Sequence, residues 1–110
     1  MIEIVISQHF KKQLKRYLKK DRKLLEKLKS LLLNFEKSCA ISLGHGVYKT
    51  RVQGMGKGKS SGYRLYILIV EIDGLISPLC IYPKSDQENL SVHELTWHLN
   101  IVKTELKMMI

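Results

Sequence analysis

Residues 62–82 read Gly-Tyr-Arg-Leu-Tyr-Ile-Leu-Ile-Val-Glu-Ile-Asp-Gly-Leu-Ile-Ser-Pro-Leu-Cys-Ile-Tyr, and the folding of this stretch decides the architecture. Gly62 to Ile72 is rich in β-branched and aromatic residues and carries apolar side chains at both parities, which predicts a central strand covered on both faces. Asp73-Gly74 is a tight-turn signal, so Leu75 to Tyr82 is expected to return antiparallel. Pro78 has no N–H to give to a ladder and predicts a bulge or an edge at that point.

Just upstream, Val47 to Val52 forms a further strand-like segment, and the connection to Tyr63 is rich in glycine and lysine. Its fragment Gly58-Lys59-Ser60 looks like the end of a phosphate-binding P-loop. That pattern needs a first glycine at position 53, where the chain has Gln53, and a helix directly afterwards, where it has a strand. A long hairpin connection whose Lys57 and Lys59 close over a nucleic-acid backbone fits the residues better.

At the N-terminus, Ile2 to Ile6 is β-branched and reads as a short first strand, with Ser7 placed as a helix N-cap. From Phe10 to Glu36 there is no Gly or Pro, and apolar residues recur at helical spacing: Phe10, Leu14, Tyr17 and Leu18, then Leu24, Leu25, Leu28, Leu31, Leu32 and Phe35. The stripe slips at Asp21 and Arg22, where core-facing positions should fall, so two helices in a hairpin are expected with a break near Lys20 to Arg22. Ser38 to Gly46 reads as a polar connection. Near the C-terminus, Ser91-Val92-His93-Glu94 fits a capping box, with Leu90 and Leu95 as a hydrophobic staple. The helix it starts should bury Leu95, Leu99, Val102, Leu106 and Met109. The expected architecture is α+β in the order β-α-α-β-β-β-α, a small antiparallel sheet with a helical hairpin and a C-terminal helix packed on it.

The chain has 110 residues, 45% of them hydrophobic, enough for one domain over residues 1–110. It lacks an apolar run of membrane-spanning length and a basic-then-apolar leader, so a cytoplasmic chain with no membrane partner is expected. Cys39 and Cys80 lie far apart and are expected to be buried thiols rather than ligands or a disulfide. His93 and His98 are separated by about 500° of helical rotation, so no metal site and no cofactor is expected. Against 10 Asp and Glu stand 19 Lys and Arg, a net charge of +9. A polyanionic partner is the natural inference.

That charge is concentrated in two places. The first helix carries Lys12, Lys15 and Arg16 among six cations, candidate RNA contacts that taken singly read as a solvated face. From Lys49 to Arg64 there are five cations, at 49, 51, 57, 59 and 64, and no acid. Lys49 and Arg51 are two apart and share one strand face. In one of the two register parities Arg64 joins them. Tyr63, Tyr66 and Tyr82 are candidates for base stacking or, more ordinarily, for packing.

Three stretches, Tyr48-Lys49-Thr50-Arg51, Ser60-Ser61-Gly62-Tyr63-Arg64-Leu65 and Ile81-Tyr82-Pro83-Lys84-Ser85, resemble the RelE/ParE toxin superfamily of bacterial toxin-antitoxin systems, in particular its RelE and HigB-like mRNA-cleaving branch. The resemblance implies a small endoribonuclease that cuts mRNA in the ribosomal A site. It also implies a cognate antitoxin, a helix-turn-helix or other DNA-binding protein with an acidic or amphipathic neutralising segment. Lys49, Arg51 and Arg64 match the family's catalytic cations, and Lys84 is the candidate for a further one. The family's C-terminal tyrosine or histidine has no direct counterpart after Tyr82, which leaves Tyr82 or His93 to take its place. Cleavage by the 2′-hydroxyl needs a base, charge stabilisation and a donor to the leaving oxygen. Lys49 as base, Arg51 and Arg64 as clamp, and Tyr82 or Lys84 as donor form a workable set. The alternatives are a ParE-like gyrase inhibitor and a non-catalytic RNA-binding module.

Overall fold

The computed structural model describes residues 2–55 and 62–108. In chain order the elements are β1 (Glu3–Ile4), α1 (Gln8–Leu18), α2 (Leu24–Leu33), a short 3-10 turn (Lys37–Cys39), β2 (Ile41–Gly44), β3 (Val47–Val52), β4 (Tyr63–Val70), β5 (Leu75–Pro83) and α3 (Val92–Met108). One five-stranded sheet has the order β1-β5-β4-β3-β2. The expected α+β architecture stands, with two differences of detail. β1 runs parallel to β5, so the sheet is mixed rather than wholly antiparallel. The polar connection before Val47 contains the additional strand β2, paired antiparallel with β3.

β4 is the centre, as its two-sided apolar pattern predicts. Tyr63, Leu65, Ile67 and Ile69 face a cluster with Phe10 and Leu14 of α1 and Leu24, Leu28 and Leu32 of α2. Tyr66 and Leu68 face the opposite way, into a cluster with Val102 and Leu106 of α3. The register of β4 with β5 shifts between Tyr66 and Ile67, whose partners are Cys80 and Pro78. Leu79 is the extra residue of that bulge, so the ladder accommodates Pro78 without needing an N–H from it.

The β2–β3 turn turns on glycine. Gly44, His45 and Gly46 all have positive φ. A Cβ on Gly46 would lie 2.5 Å from the Ile69 carbonyl oxygen. Only glycine combines that close approach with a left-handed backbone.

The helices start where capping chemistry predicts. Ser7 Oγ accepts the Phe10 N–H at 3.0 Å, and Ser91 and Glu94 exchange both capping-box bonds. The hairpin break falls at residues 19–23 as expected, yet Asp21 is not solvated. It is fully buried and accepts the Tyr63 hydroxyl at 3.2 Å on Oδ2. Burial, followed by the Asp21 charge, pushes Tyr63 up to about 12.

α1 also closes the open edge of β5. Because β1 is only two residues long, nothing in the sheet pairs with the outer side of β5 beyond it. Gln13 takes that place: its Nε2 donates to Leu79 O at 3.1 Å and its Oε1 accepts Ile81 N–H at 3.2 Å. Around the same edge α1 meets α3. The Glu105 carboxylate accepts the Gln8 and His9 N–H groups at the start of α1, and His9 Nε2 lies 2.7 Å from His98 Nδ1.

Two outcomes follow for stability. Gln13→Leu keeps the bulk but strands two backbone groups of β5, which should cost about 1–3 kcal/mol in urea denaturation. Burial lowers both His9 and His98 from 6.5; Lys12 acts with it and Glu105 against it at His9, while at His98 the His9 ring acts with it and Glu94 against it. Groups with depressed pKa values that must stay neutral give their full stabilisation above pH 6.5 and lose it as pH falls through their folded values. The melting temperature should therefore drop on acidification below 6.5, and His98→Asn should flatten that decline.

Candidate functional site

The pairing of β3 with β4 sets Arg51 directly opposite Arg64 and Lys49 opposite Tyr66. The pairing of β4 with β5 adds Tyr82 opposite Arg64 and Cys80 opposite Tyr66. Val47, Tyr66 and Tyr82 belong to the cluster on the α3 side of the sheet, so by the two-residue alternation Lys49, Arg51 and Arg64 share that face. The three cations form a triangle over two adjacent rows.

Two like charges directly across a strand pair repel each other. Neither arginine has a carboxylate partner in an ion pair among the described residues. The burial makes the arrangement more demanding. Arg64 is only 9% exposed, and its Nε has no hydrogen-bond partner among the described residues. A buried donor left unpaired costs about 1–3 kcal/mol, more when charged. An anion bound between the arginines would offset their repulsion.

The space for such an anion exists. Lys49, Arg51 and Arg64 line a cleft of about 850 Å³, with Glu88 and Asn89 reaching over from the segment after β5. The open side lies at the edge of β3, because β2 pairs with β3 only as far as Lys49. Lys49 Nζ donates to Asn89 Oδ1 at 2.7 Å. The next residue is fixed as well, since the Leu90 N–H donates to the Tyr66 hydroxyl at 3.0 Å.

The other expected site residues fall elsewhere. Tyr82 stands beside Arg64 in the sheet but is buried, with its hydroxyl 3.4 Å from that of Tyr66. Burial first, and then the Tyr66 hydroxyl, raise its pKa far above the usual tyrosine value, with Arg64 opposing. Tyr82 therefore buttresses Arg64 and does not line the cleft. Tyr63, Tyr66 and Tyr82 are all packing residues here rather than exposed shelves for bases. Lys84 follows β5, half-buried, its N–H on Gly62 O at 2.9 Å, and is not among the cleft residues.

His93 is exposed on the first turn of α3, away from the cleft lining. Lys12, Lys15 and Arg16 are exposed on α1, whose core residues pack on the opposite face of the sheet. They are not brought to the cleft. Lys57 and Lys59 lie outside the described residues, as does Met109. Cys80 is buried as expected, and burial pushes its thiol up to about 12. Cys39 is exposed, contrary to expectation, because the 3-10 turn that carries it buries none of its residues.

Glu88, Asn89 and the bond from Leu90 to Tyr66 were not singled out from the sequence. Their only signal is a polar run, Ser85 to Asn89, between the last strand and the capping box. Such a run reads as an ordinary loop until the fold sets it over the cations.

A family model described as the RelE toxin of the RelE / RelB toxin-antitoxin system matches residues 4–109. Among solved structures, a double arginine-to-alanine mutant of the E. coli toxin RelE in the free state superposes with a TM-score of 0.55. It is 17% identical, over 79% of this chain and 87% of that one. At this identity the likeness is one of fold. No curated protein sequence matches the chain significantly. No helix among the described residues is long and apolar enough to cross a membrane.

The cation triangle makes a measurable claim about salt. Binding of a short, uncleavable single-stranded oligonucleotide should weaken with a log-log salt slope of about −0.7 for each phosphate held. Arg51→Ala should reduce the steepness of that slope by about 0.7 in fluorescence anisotropy titrations.

Proposed function

Since the chain belongs to the RelE toxin family of toxin-antitoxin systems, we propose that it is a metal-independent endoribonuclease that cleaves mRNA in the ribosomal A site and so inhibits translation. The observation that carries this reading is the pair Arg51 and Arg64, facing each other across β3 and β4 on the wall of an open cleft without a carboxylate between them. A phosphodiester supplies what the pair lacks.

In this reading the 2′-oxygen attacks the adjacent phosphorus, and negative charge accumulates on the phosphorane oxygens. Arg51 and Arg64 stay charged throughout and offer planar N–H forks to those oxygens. Fixed donors aimed at developing charge do not have to reorganise during the reaction, which is why such groups often contribute most to the rate. Lys49, held by Asn89, is the amine placed to exchange a proton with the reacting oxygens. The cleft is open, so orientation of the RNA is left to the ribosome. Action on translating ribosomes places the protein in the cytoplasm.

The family implies an antitoxin partner. The groove between α1 and α2 suits its neutralising segment: Phe10, Leu14, Leu28 and Leu32 form an apolar floor, with Lys11, Lys15 and Lys29 among the groove residues. An amphipathic helix with acidic flanks complements that surface in both polarity and charge. The gyrase-inhibitor alternative gives no role to the convergence of Lys49, Arg51 and Arg64.

Mapping mRNA 5′ ends in cells after induction tests the reading. Wild type should give cuts in phase with codons, and Arg64→Ala and Lys49→Ala should reduce them by about 10²-fold or more. Signs of DNA damage with intact mRNA would favour gyrase inhibition instead, and unaffected growth would leave only a binding module.

A further inference from the structure

Cleavage by a neighbouring hydroxyl needs one group to take a proton from the 2′-oxygen and another to give one to the departing 5′-oxygen. Arg51 and Arg64 do neither, because a guanidinium is not deprotonated in proteins. Tyr82 is buried and turned toward Tyr66, and His93 does not line the cleft. Apart from the Cys39 thiol, the ionisable side chains among the described residues that line the cleft and remain available are Lys49, Glu36 and Glu88.

The two carboxylates reach the cleft from different sides. Glu36 follows α2, and its neighbour Phe35 packs on Tyr48, which belongs to the core on the far face of the sheet. Glu88 comes from the same side as the cations. The residue after it, Asn89, accepts the Lys49 ammonium at 2.7 Å. Leu90, one further on, is tied to Tyr66, and Gln87 Nε2 donates to the Asn89 carbonyl at 3.0 Å. The backbone around Glu88 is thus pinned over the cleft, while its side chain is exposed and makes no hydrogen bond or ion pair among the described residues.

Resting on the nuclease reading above, we propose that Glu88 is the general base of this site and that Asn89 is a positioning residue that holds Lys49 as the general acid. Glu88 takes the 2′-hydroxyl proton as the 2′-oxygen bonds to phosphorus. The bond from phosphorus to the 5′-oxygen breaks, and the Lys49 ammonium protonates that oxygen. The products are a 2′,3′-cyclic phosphate and a 5′-hydroxyl, and solvent returns the proton from Glu88 to Lys49. An acidic residue next to a cation cluster repels phosphate, so neutralising Glu88 should not weaken binding.

The test is single-turnover cleavage of mRNA on programmed ribosomes by the full chain over an acid-to-alkaline pH series. Glu88→Gln should slow cleavage by about 10²–10⁴-fold and abolish the acidic limb of the profile. It should bind mRNA with a 2′-deoxy residue at the cut site as tightly as wild type or more so, which a misfolded variant would not. Glu88→Asp should restore part of the rate. Asn89→Ala should displace the alkaline limb, which belongs to Lys49, with a smaller loss. A Glu88→Gln variant that keeps the rate and the acidic limb overturns the assignment while leaving the nuclease reading intact. Loss of that limb in Glu36→Gln instead transfers the role to Glu36 and also overturns it. Wild type that cuts no mRNA removes the nuclease reading, and Glu88 falls with it.

Discussion

Six uninterrupted pairs between β3 and β4, from Val47 with Leu68 to Val52 with Tyr63, hold Arg51 opposite Arg64, and the remainder of the molecule is arranged around that register. Strand side chains alternate with a period of two, so a slip of one residue would turn Lys49 and Arg51 into the apolar layer under α2. Tyr48 and Val52, which now fill that layer, would be turned out in exchange. The hydrophobic pattern of the two strands therefore enforces a pairing of like charges that electrostatics alone would avoid. Core packing supplies the energy that holds the two arginines together.

The groups around the cations keep them fixed. Tyr66 occupies the centre of this support: it packs in the α3-side cluster, meets the Tyr82 hydroxyl and accepts the Leu90 N–H. Through Leu90 and Asn89 the core thus reaches Lys49. Both tyrosines are buried, and they pack beneath the charged groups rather than lining the cleft. A loop stapled on one side to a core hydroxyl and on the other to Lys49 has little freedom left to lose on binding a ligand.

Much of the fold was legible because it rests on local rules. The two-sided apolar strand, the Asp-Gly turn, the bulge at Pro78, the Ser7 cap and the Ser91–Glu94 box each follow from residue type and spacing within a few positions. β2 was missed because Ile41 to Gly44 is short and exposed along its length, and its pairing depends on a Gly-His-Gly turn with three positive φ values. The parallel docking of β1 is a contact between distant segments, which no local pattern carries. Asp21 marked the helix break correctly through its polarity, but its burial against Tyr63 depends on a residue 42 positions away.

The sequence by itself determined the sheet-forming and helix-forming segments, the excess of positive charge, and the presence of Lys49 and Arg51 on one strand face, because periodicity and charge are properties of the local chain. It left the register parity open. Tertiary structure decided that Arg64 faces Arg51, that Tyr82 is withdrawn from the cleft, and that Glu88 and Asn89 are brought to it. The helix cations Lys12, Lys15 and Arg16 were left on the other side by the same folding. These outcomes rest on which face each strand buries and on where a polar loop crosses the sheet, and both are set by packing between segments far apart in the chain.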